Sequence, residues 1–110
     1  MKTILIHGKE YVPVSERVLA AHEAEDKISI TTEVLFQEPV VIKATVVTKK
    51  GTFTGISAAN PAKAIEKQSP YEVAETSAVG RCLGFAGYGI VDGIATADEM
   101  RKATDEGVPF

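Results

Sequence analysis

The basic side chains that could bind phosphate groups are concentrated in one stretch of the chain. Residues 39–65 contain no acidic residue, and residues 39–82 hold six basic residues against three acidic ones. That stretch therefore has a net charge of +3, whereas the whole chain has −3. Cations clustered on an otherwise acidic protein favour binding of a polyanion along a groove. Lysines on a solvated strand face are the simpler interpretation of the pattern taken alone. The six candidates are Lys43, Lys49, Lys50, Lys63, Lys67 and Arg81.

Arg81 is the most informative of these residues. If it lies on a helix, its neighbours three and four positions away carry no acidic group, being Ser77, Ala78, Gly84 and Phe85. A guanidinium without an intrahelical partner can form paired hydrogen bonds with a phosphate. An ion pair with an acid distant in sequence is equally consistent with the sequence.

Residue groupings typical of catalysis or metal binding are missing from the sequence. His7, His22 and Cys82 stand apart, without the spacing of metal ligands, so we predict no metal and no cofactor. No Ser/His/Asp grouping or pair of carboxylates stands out, so we expect no catalytic residues and no enzymatic activity. The glycine-rich segment 84–89 follows a helix instead of joining a strand to a helix, so we predict that it terminates the helix.

Length and composition predict one domain over residues 1–110, with residues 105–110 frayed. The 110 residues are 45% hydrophobic and 25% charged, which is typical of a globular chain. The single cysteine excludes an intramolecular disulfide and fits a reducing compartment. No apolar run approaches the roughly 20 residues of a membrane helix. We therefore expect a cytoplasmic protein that does not associate with membranes.

Hydrophobic periodicity predicts the elements of the first half. Two apolar stretches, 3–6 and 11–14, predict a β-hairpin around residues 7–10. Ser15 is a candidate N-cap for a short helix that ends near Ala24. Residues 28–37, 40–49 and 52–58 then alternate with period two, which predicts three antiparallel strands. In the first strand we place four residues on its apolar face: Ile28, Ile30, Val34 and Phe36.

Two capping boxes predict helices in the second half. Residues 69–72, with Pro70 at the first helical position, open a long helix that reaches Ala86. Residues 96–99 open a short helix that ends near Ala103. Gly80 and Gly84 form a stripe that indicates close approach of another backbone, with the protein's own sheet favoured over a neighbouring subunit. The predicted fold class is α+β: a hairpin and short helix, a three-stranded antiparallel meander packed on one long helix (a β-β-β-α core), and a short C-terminal helix.

Residues 75–87, ETSAVGRCLGFAG, resemble the helix signature of phage and prophage single-strand annealing proteins, members of the Rad-fifty-two-type superfamily of recombination mediators. Residues 94–100, IATADEM, resemble the segment that follows that helix in the family. Residues 8–17 are similar to the family's opening pattern, Gly-Lys-x-Tyr-x-x-Val-x-x-Arg. The resemblance extends over roughly residues 7–103.

The resemblance implies a β-β-β-α core that assembles into rings or helical oligomers and holds single-stranded DNA in a basic groove, without ATP or metal. Arg81 matches the helix residue that contacts the inner strand in the family, although Gly80 and Gly84 stand where other members have further basic residues. Lys63 and Lys67 fall at the family's outer basic site. The hairpin expected to wall the groove carries Lys43, Lys49 and Lys50.

Residues and resemblance together predict a non-enzymatic protein that binds and anneals single-stranded DNA in homologous recombination. Its predicted partners are single-stranded DNA, further copies of itself, and a host single-strand binding protein or recombinase. If the protein is phage-encoded, it would act in the cytoplasm of a bacterial host. The alternative is a structural oligomerisation module without nucleic-acid binding. An enzyme that holds a nucleotide at residues 84–89 is a third, more distant hypothesis.

Overall fold

The computed structural model describes residues 1–91 and 93–105, which form a short hairpin, three helical segments around a sheet, and a final short helix. Only Asp105 of the predicted frayed tail lies inside the described residues, and it is the last residue of a helix. The elements in chain order are β1 (Ile4–Ile6), β2 (Lys9–Tyr11), α1 (Val14–Ala24), β3 (Ser29–Gln37), β4 (Val40–Thr48), β5 (Gly51–Ala58), α2 (Ala64–Gln68), α3 (Pro70–Phe85) and α4 (Ala97–Asp105).

The predicted α+β architecture is confirmed. β3, β4 and β5 form an antiparallel sheet in that spatial order, and α3 covers one of its faces. Alternate residues of β4 point toward α3 and are buried, which is the period-two pattern of a sheet with one covered face. The core between sheet and helix includes Val40, Ile42, Ala44, Val46, Ala74, Ala78, Cys82 and Leu83.

The helix lies close against the sheet at Gly55 of β5. A Cβ atom on Gly55 would be 2.6 Å from the backbone oxygen of Ala78 and 2.6 Å from the backbone nitrogen of Cys82. The expectation that Gly80 and Gly84 mark this approach is wrong. Because Gly80 lies about 200° around the helix from Ala78, this stripe faces away from the sheet.

The glycine stripe of α3 instead makes room for α1 and for the segment before α4. A Cβ atom on Gly80 would be 2.7 Å from Cγ2 of Val14 and 2.8 Å from Cγ2 of Thr96. One on Gly84 would be 2.6 Å from Nη1 of Arg17. The close neighbours are therefore side chains of the same subunit.

A register shift in β3 reverses the predicted orientation of Phe36. Val34 pairs with Ile42, but Phe36 pairs with Val41, so an extra residue lies between them. Val41 belongs to the sheet face turned away from α3, and paired residues share a face. Phe36 is 67% exposed on that open face, and its predicted place beside Ile30 and Val34 is wrong.

α1 and α3 begin at or near the predicted residues, but without the predicted capping hydrogen bonds. α1 begins at Val14, with Pro13 as its N-cap instead of Ser15. The N–H of Val14 donates to Oδ1 of Asp98 at 2.8 Å, so a distant carboxylate satisfies this donor. α3 begins at Pro70 as predicted, but Ser69 makes no side-chain capping hydrogen bond. The predicted box at Thr96 does form, and α2 was not predicted.

None of the helices within residues 1–91 and 93–105 combines the length and apolar character that crossing a bilayer requires.

Candidate nucleic-acid interface

α3 runs antiparallel to β5 across the covered face of the sheet. Sγ of Cys82 lies 3.1 Å from the carbonyl oxygen of Phe53, to which the thiol donates. Earlier in the helix, Ser77 lines one cavity together with Ser57 and Ala58, at the far end of β5. The C-terminal end of α3 therefore lies beside the start of β5 and the β4–β5 turn.

Arg81 lies on the β5 side of α3. Glu75 marks the opposite side, since its Oε2 accepts a hydrogen bond of 2.7 Å from Thr32 of β3. Ser77 marks the β5 side, and Arg81 follows it one helical turn later. β5 is an edge strand, so no further strand separates this side chain from solvent.

The guanidinium of Arg81 is not neutralised by a carboxylate among the described residues. Among the residues whose side chains the structure describes, 1–91 and 93–101, the ion pair within 4.0 Å that the structure shows joins Lys49 to Asp26. Cζ of Arg81 lies 5.7 Å from the ring centroid of Phe85, one turn further along α3. The side chain is only partly buried. It therefore retains donors for a phosphate while its plane rests near an aromatic ring.

The β4–β5 turn places two lysines beyond the end of α3. Nζ of Lys50 lies 5.3 Å from the ring centroid of Tyr88. The hydroxyl of Tyr88 donates to Oε2 of Glu25, and this hydrogen bond, with smaller contributions from burial and the carboxylate's charge, raises the pKa of Tyr88. Nζ of Lys49 lies 3.4 Å from Oδ2 of Asp26 in an exposed ion pair, a class of contact that binds weakly.

Lys63 lies at the opposite end of β5. It lines a cavity of about 190 Å³ with residues that include Ser77, Glu66 and Glu99. Both carboxylates are buried and accept hydrogen bonds from backbone N–H groups, Glu66 from Asn60 and Glu99 from Thr96. Lys63 therefore contributes its charge beside two acids, which weakens its attraction for a phosphate.

Three of the predicted cations follow one another along the length of β5, and we call this series the β5 edge: Lys63 beyond the end of the strand, Arg81 beside it on α3, and Lys50 in the turn before its start. The eight residues of β5 measure about 23 Å from first to last Cα at about 3.3 Å per residue. Arg81 stands between the two lysines because α3 is antiparallel to the strand. The geometry offers donors at three points along an extended anion.

The structure does not place the other predicted cations at the β5 edge. Lys43 lies on the open face of the sheet, paired in register with Glu33 and Ile56, on the side opposite α3. Lys67 follows Lys63 by one turn of α2 and lines a separate cavity of about 370 Å³ near Pro39. Lys49 adjoins the β5 edge but is engaged by Asp26.

Sequence reasoning missed the role of Arg17, which is completely buried. Its Nη1 donates to the carbonyl oxygen of Gly80 at 2.7 Å and its Nη2 to that of Gly89 at 3.2 Å. Burial lowers the pKa of this guanidinium, and the charges of Glu99 and Asp98 raise it in part. Arg17 thereby joins α1 to the C-terminal half of α3, which carries Arg81.

One sequence signal could have located this residue. Arg17 occupies the buried stripe of α1, at the spacing of an inward-facing position, with Val14, Val18 and Ala21.

The described residues contain no group of three or more His, Cys, Asp and Glu side chains that could hold a metal ion. Cys82 is buried, and desolvation raises the pKa of its thiol against the opposing effect of a backbone hydrogen bond. A thiol in this environment is a poor nucleophile.

Comparisons with known proteins found no match: no family model, no curated protein and no solved structure corresponds to the chain.

Proposed function

We propose that this protein binds single-stranded DNA along the β5 edge and promotes annealing of complementary strands. The observation that carries the proposal is the position of Arg81, which has no carboxylate partner among the described residues and lies between Lys63 and Lys50. The family resemblance of residues 75–87 centres on the same arginine. Both arguments therefore point to one side chain on one surface.

Binding through these residues is electrostatic. Lysine and arginine neutralise phosphates and release counterions, so affinity for a single strand falls as salt rises. Contacts of this kind hold the backbone and leave base edges free to pair with a second strand. Annealing breaks no covalent bond, so the proposed function is non-enzymatic and requires no cofactor or metal. Such a protein would act in the cytoplasm, in a bacterial host if it is phage-encoded.

Self-association is part of the proposal, because three cations, one of them beside two acids, give a weak site in a single subunit. Repeated subunits on one strand multiply weak contacts through effective concentration. The open face of the sheet is the surface available for such association. Its exposed side chains include Phe36 at 67%, Ile56 at 53% and Val47 at 44%.

The same open face favours a second candidate function, that of an oligomerisation module that does not bind nucleic acid. Exposed apolar side chains on a sheet face are typical of a surface that another protein covers. In that case the lysines would serve solubility alone. The two functions differ in their response to oligonucleotides.

The test is the size of the particle by gel filtration with light scattering, with and without a poly-dT strand, at two salt concentrations. We expect the strand to co-elute with the protein at low salt and to separate from it at high salt. A duplex of the same length is the control, and we expect it to bind more weakly. Assemblies whose size and composition do not change when poly-dT is added at low salt would contradict the proposal and support the oligomerisation module.

A further inference from the structure

We propose that Phe85 is a stacking platform for a base of the bound strand, next to the phosphate contact at Arg81. This inference rests on the proposed function and names the feature that gives the β5 edge a preference for single strands. It concerns Phe85, the last residue of α3, which is 50% exposed.

Phe85 is the exposed aromatic residue that lies among the cations of the β5 edge. Two other described aromatic side chains are more than a third exposed, namely Phe36 and Tyr71. Phe36 lies on the open face of the sheet, away from α3. Tyr71 lies on α3, but it precedes Phe85 by 14 positions, which span about 21 Å along the helix. Phe85 alone among the three has a guanidinium near its ring.

Tyr88 is close by but already engaged. Its hydroxyl donates to Oε2 of Glu25. Its side chain also packs against the core of the sheet and helix. Phe85 has no hydroxyl to satisfy, and the cation near its ring is Arg81, the phosphate contact of the proposed site.

The backbone that carries Phe85 is held in place. The N–H of Ala86 donates to the carbonyl oxygen of Cys82 at 3.0 Å, which closes the last turn of α3. Arg17 ties the carbonyl oxygens of Gly80 and Gly89 to α1 on either side of the ring's position. A ring on a fixed backbone loses little conformational freedom when a base stacks on it. Bases are hidden within a duplex, so the platform selects unpaired strands.

Loss of a stacking contact and loss of a charged contact have different effects on the affinity for DNA and on its salt dependence. Replacing Phe85 removes no charge, so the affinity for single strands falls while its salt dependence stays the same. An abasic strand keeps the phosphates but offers no base, so Phe85 contributes nothing to its binding. These two properties distinguish a stacking platform from a residue that merely supports Arg81.

The experiment titrates labelled dT oligonucleotides, and abasic strands of equal length, against Phe85→Leu and the control Tyr71→Leu. We expect Phe85→Leu to weaken binding of the dT strand about tenfold, with an unchanged salt slope and unchanged binding of the abasic strand. Tyr71→Leu, at an exposed aromatic residue near the start of α3, should match the unsubstituted protein. Equal loss on dT and abasic strands, or no loss on either, would overturn the inference while leaving the proposed function standing. Absence of binding by the unsubstituted protein would overturn the proposed function itself.

A second measurement uses the lack of tryptophan in the chain. Phe85→Trp places a single indole at the proposed platform, and Tyr71→Trp places one near the other end of α3. We expect the dT strand to quench the fluorescence of Phe85→Trp and the abasic strand to leave it unchanged, with no response from Tyr71→Trp. Fluorescence of Phe85→Trp that does not respond to a dT strand it has bound would contradict stacking.

Discussion

Nη1 of Arg17 lies 2.7 Å from the carbonyl oxygen of Gly80, joining residues that are 63 positions apart. The side chain of Arg17 is completely buried, and its Nε has no hydrogen-bond partner among the described residues. A buried guanidinium costs stability unless its donors are used, and here two backbone carbonyls use Nη1 and Nη2. The interaction fixes the half of α3 that carries Arg81 and Phe85.

Arg17→Ala should lower the free energy of unfolding by about 3 kcal/mol, because it leaves a cavity and two carbonyl oxygens without a donor. Arg17→Met should cost less, since its side chain refills part of the space. Urea denaturation at constant m-value measures both. Arg101→Ala, at an exposed arginine of α4, is the matched control. A loss for Arg17→Ala no larger than for Arg101→Ala would contradict the assigned role.

Gly55→Ala should be more destabilising than Gly84→Ala. At Gly55 the new Cβ meets the backbone of Ala78 and Cys82 at 2.6 Å, so α3 must move off the sheet, at a cost of about 3 kcal/mol. At Gly84 the new Cβ meets the end of the Arg17 side chain, and the higher helix propensity of alanine offsets about 1 kcal/mol.

Thermal and urea unfolding of the two variants check the order of these effects. The reverse order would show that α3 can shift against the sheet more easily than Arg17 can adjust.

Tyr88 should make stability fall at alkaline pH. Its hydrogen bond to Glu25 raises its pKa in the folded protein above the unfolded value of 10.0, so folding favours the protonated phenol. This contribution is complete below pH 10 and is lost as pH rises through the higher folded pKa. The stability difference between the unsubstituted protein and Tyr88→Phe should therefore shrink above pH 10. Urea unfolding across that range measures it, with Tyr71→Phe as the control, and a constant difference would argue against the assignment.

The sequence predicts the sheet and its covering helix because alternation and capping are local. Val40, Ile42, Ala44 and Val46 occupy alternate positions, and the side of β4 that carries them is the side that α3 covers. The same alternation also indicates that Lys43 points away from α3, and hence away from Arg81. Grouping these two cations by charge alone overlooked that consequence.

Features that depend on contacts between residues far apart in the sequence could not be predicted from local sequence patterns. The shift that turns Phe36 outward is visible only in the pairing of β3 with β4. The burial of Arg17 requires acceptors on Gly80 and Gly89, which are 63 and 72 residues away. The order of Lys63, Arg81 and Lys50 along β5 requires α3 to run antiparallel to the strand. Charge counting identified these three residues but not their arrangement.

Binding along the β5 edge predicts unequal roles for the basic residues. Arg81→Ala and Lys50→Ala should weaken binding to dT oligonucleotides at low salt, whereas Lys43→Ala should leave it unchanged because Lys43 lies on the open face beside Glu33. Each lost phosphate contact should reduce the slope of log affinity against log salt by about 0.7. Fluorescence anisotropy at four salt concentrations measures affinity and slope together.

Lys9→Ala, on the exposed β2 strand, controls for the loss of one positive charge anywhere on the protein. If Lys43→Ala weakened binding while Arg81→Ala did not, DNA would lie across the open face of the sheet and the β5 edge would lose its assignment. Equal losses for all four variants would mean that net charge, and no particular surface, governs binding. Because the four substitutions each remove one cation, only their positions distinguish them, and the order Arg81 and Lys50 above Lys43 and Lys9 follows from the packing of α3 against β5.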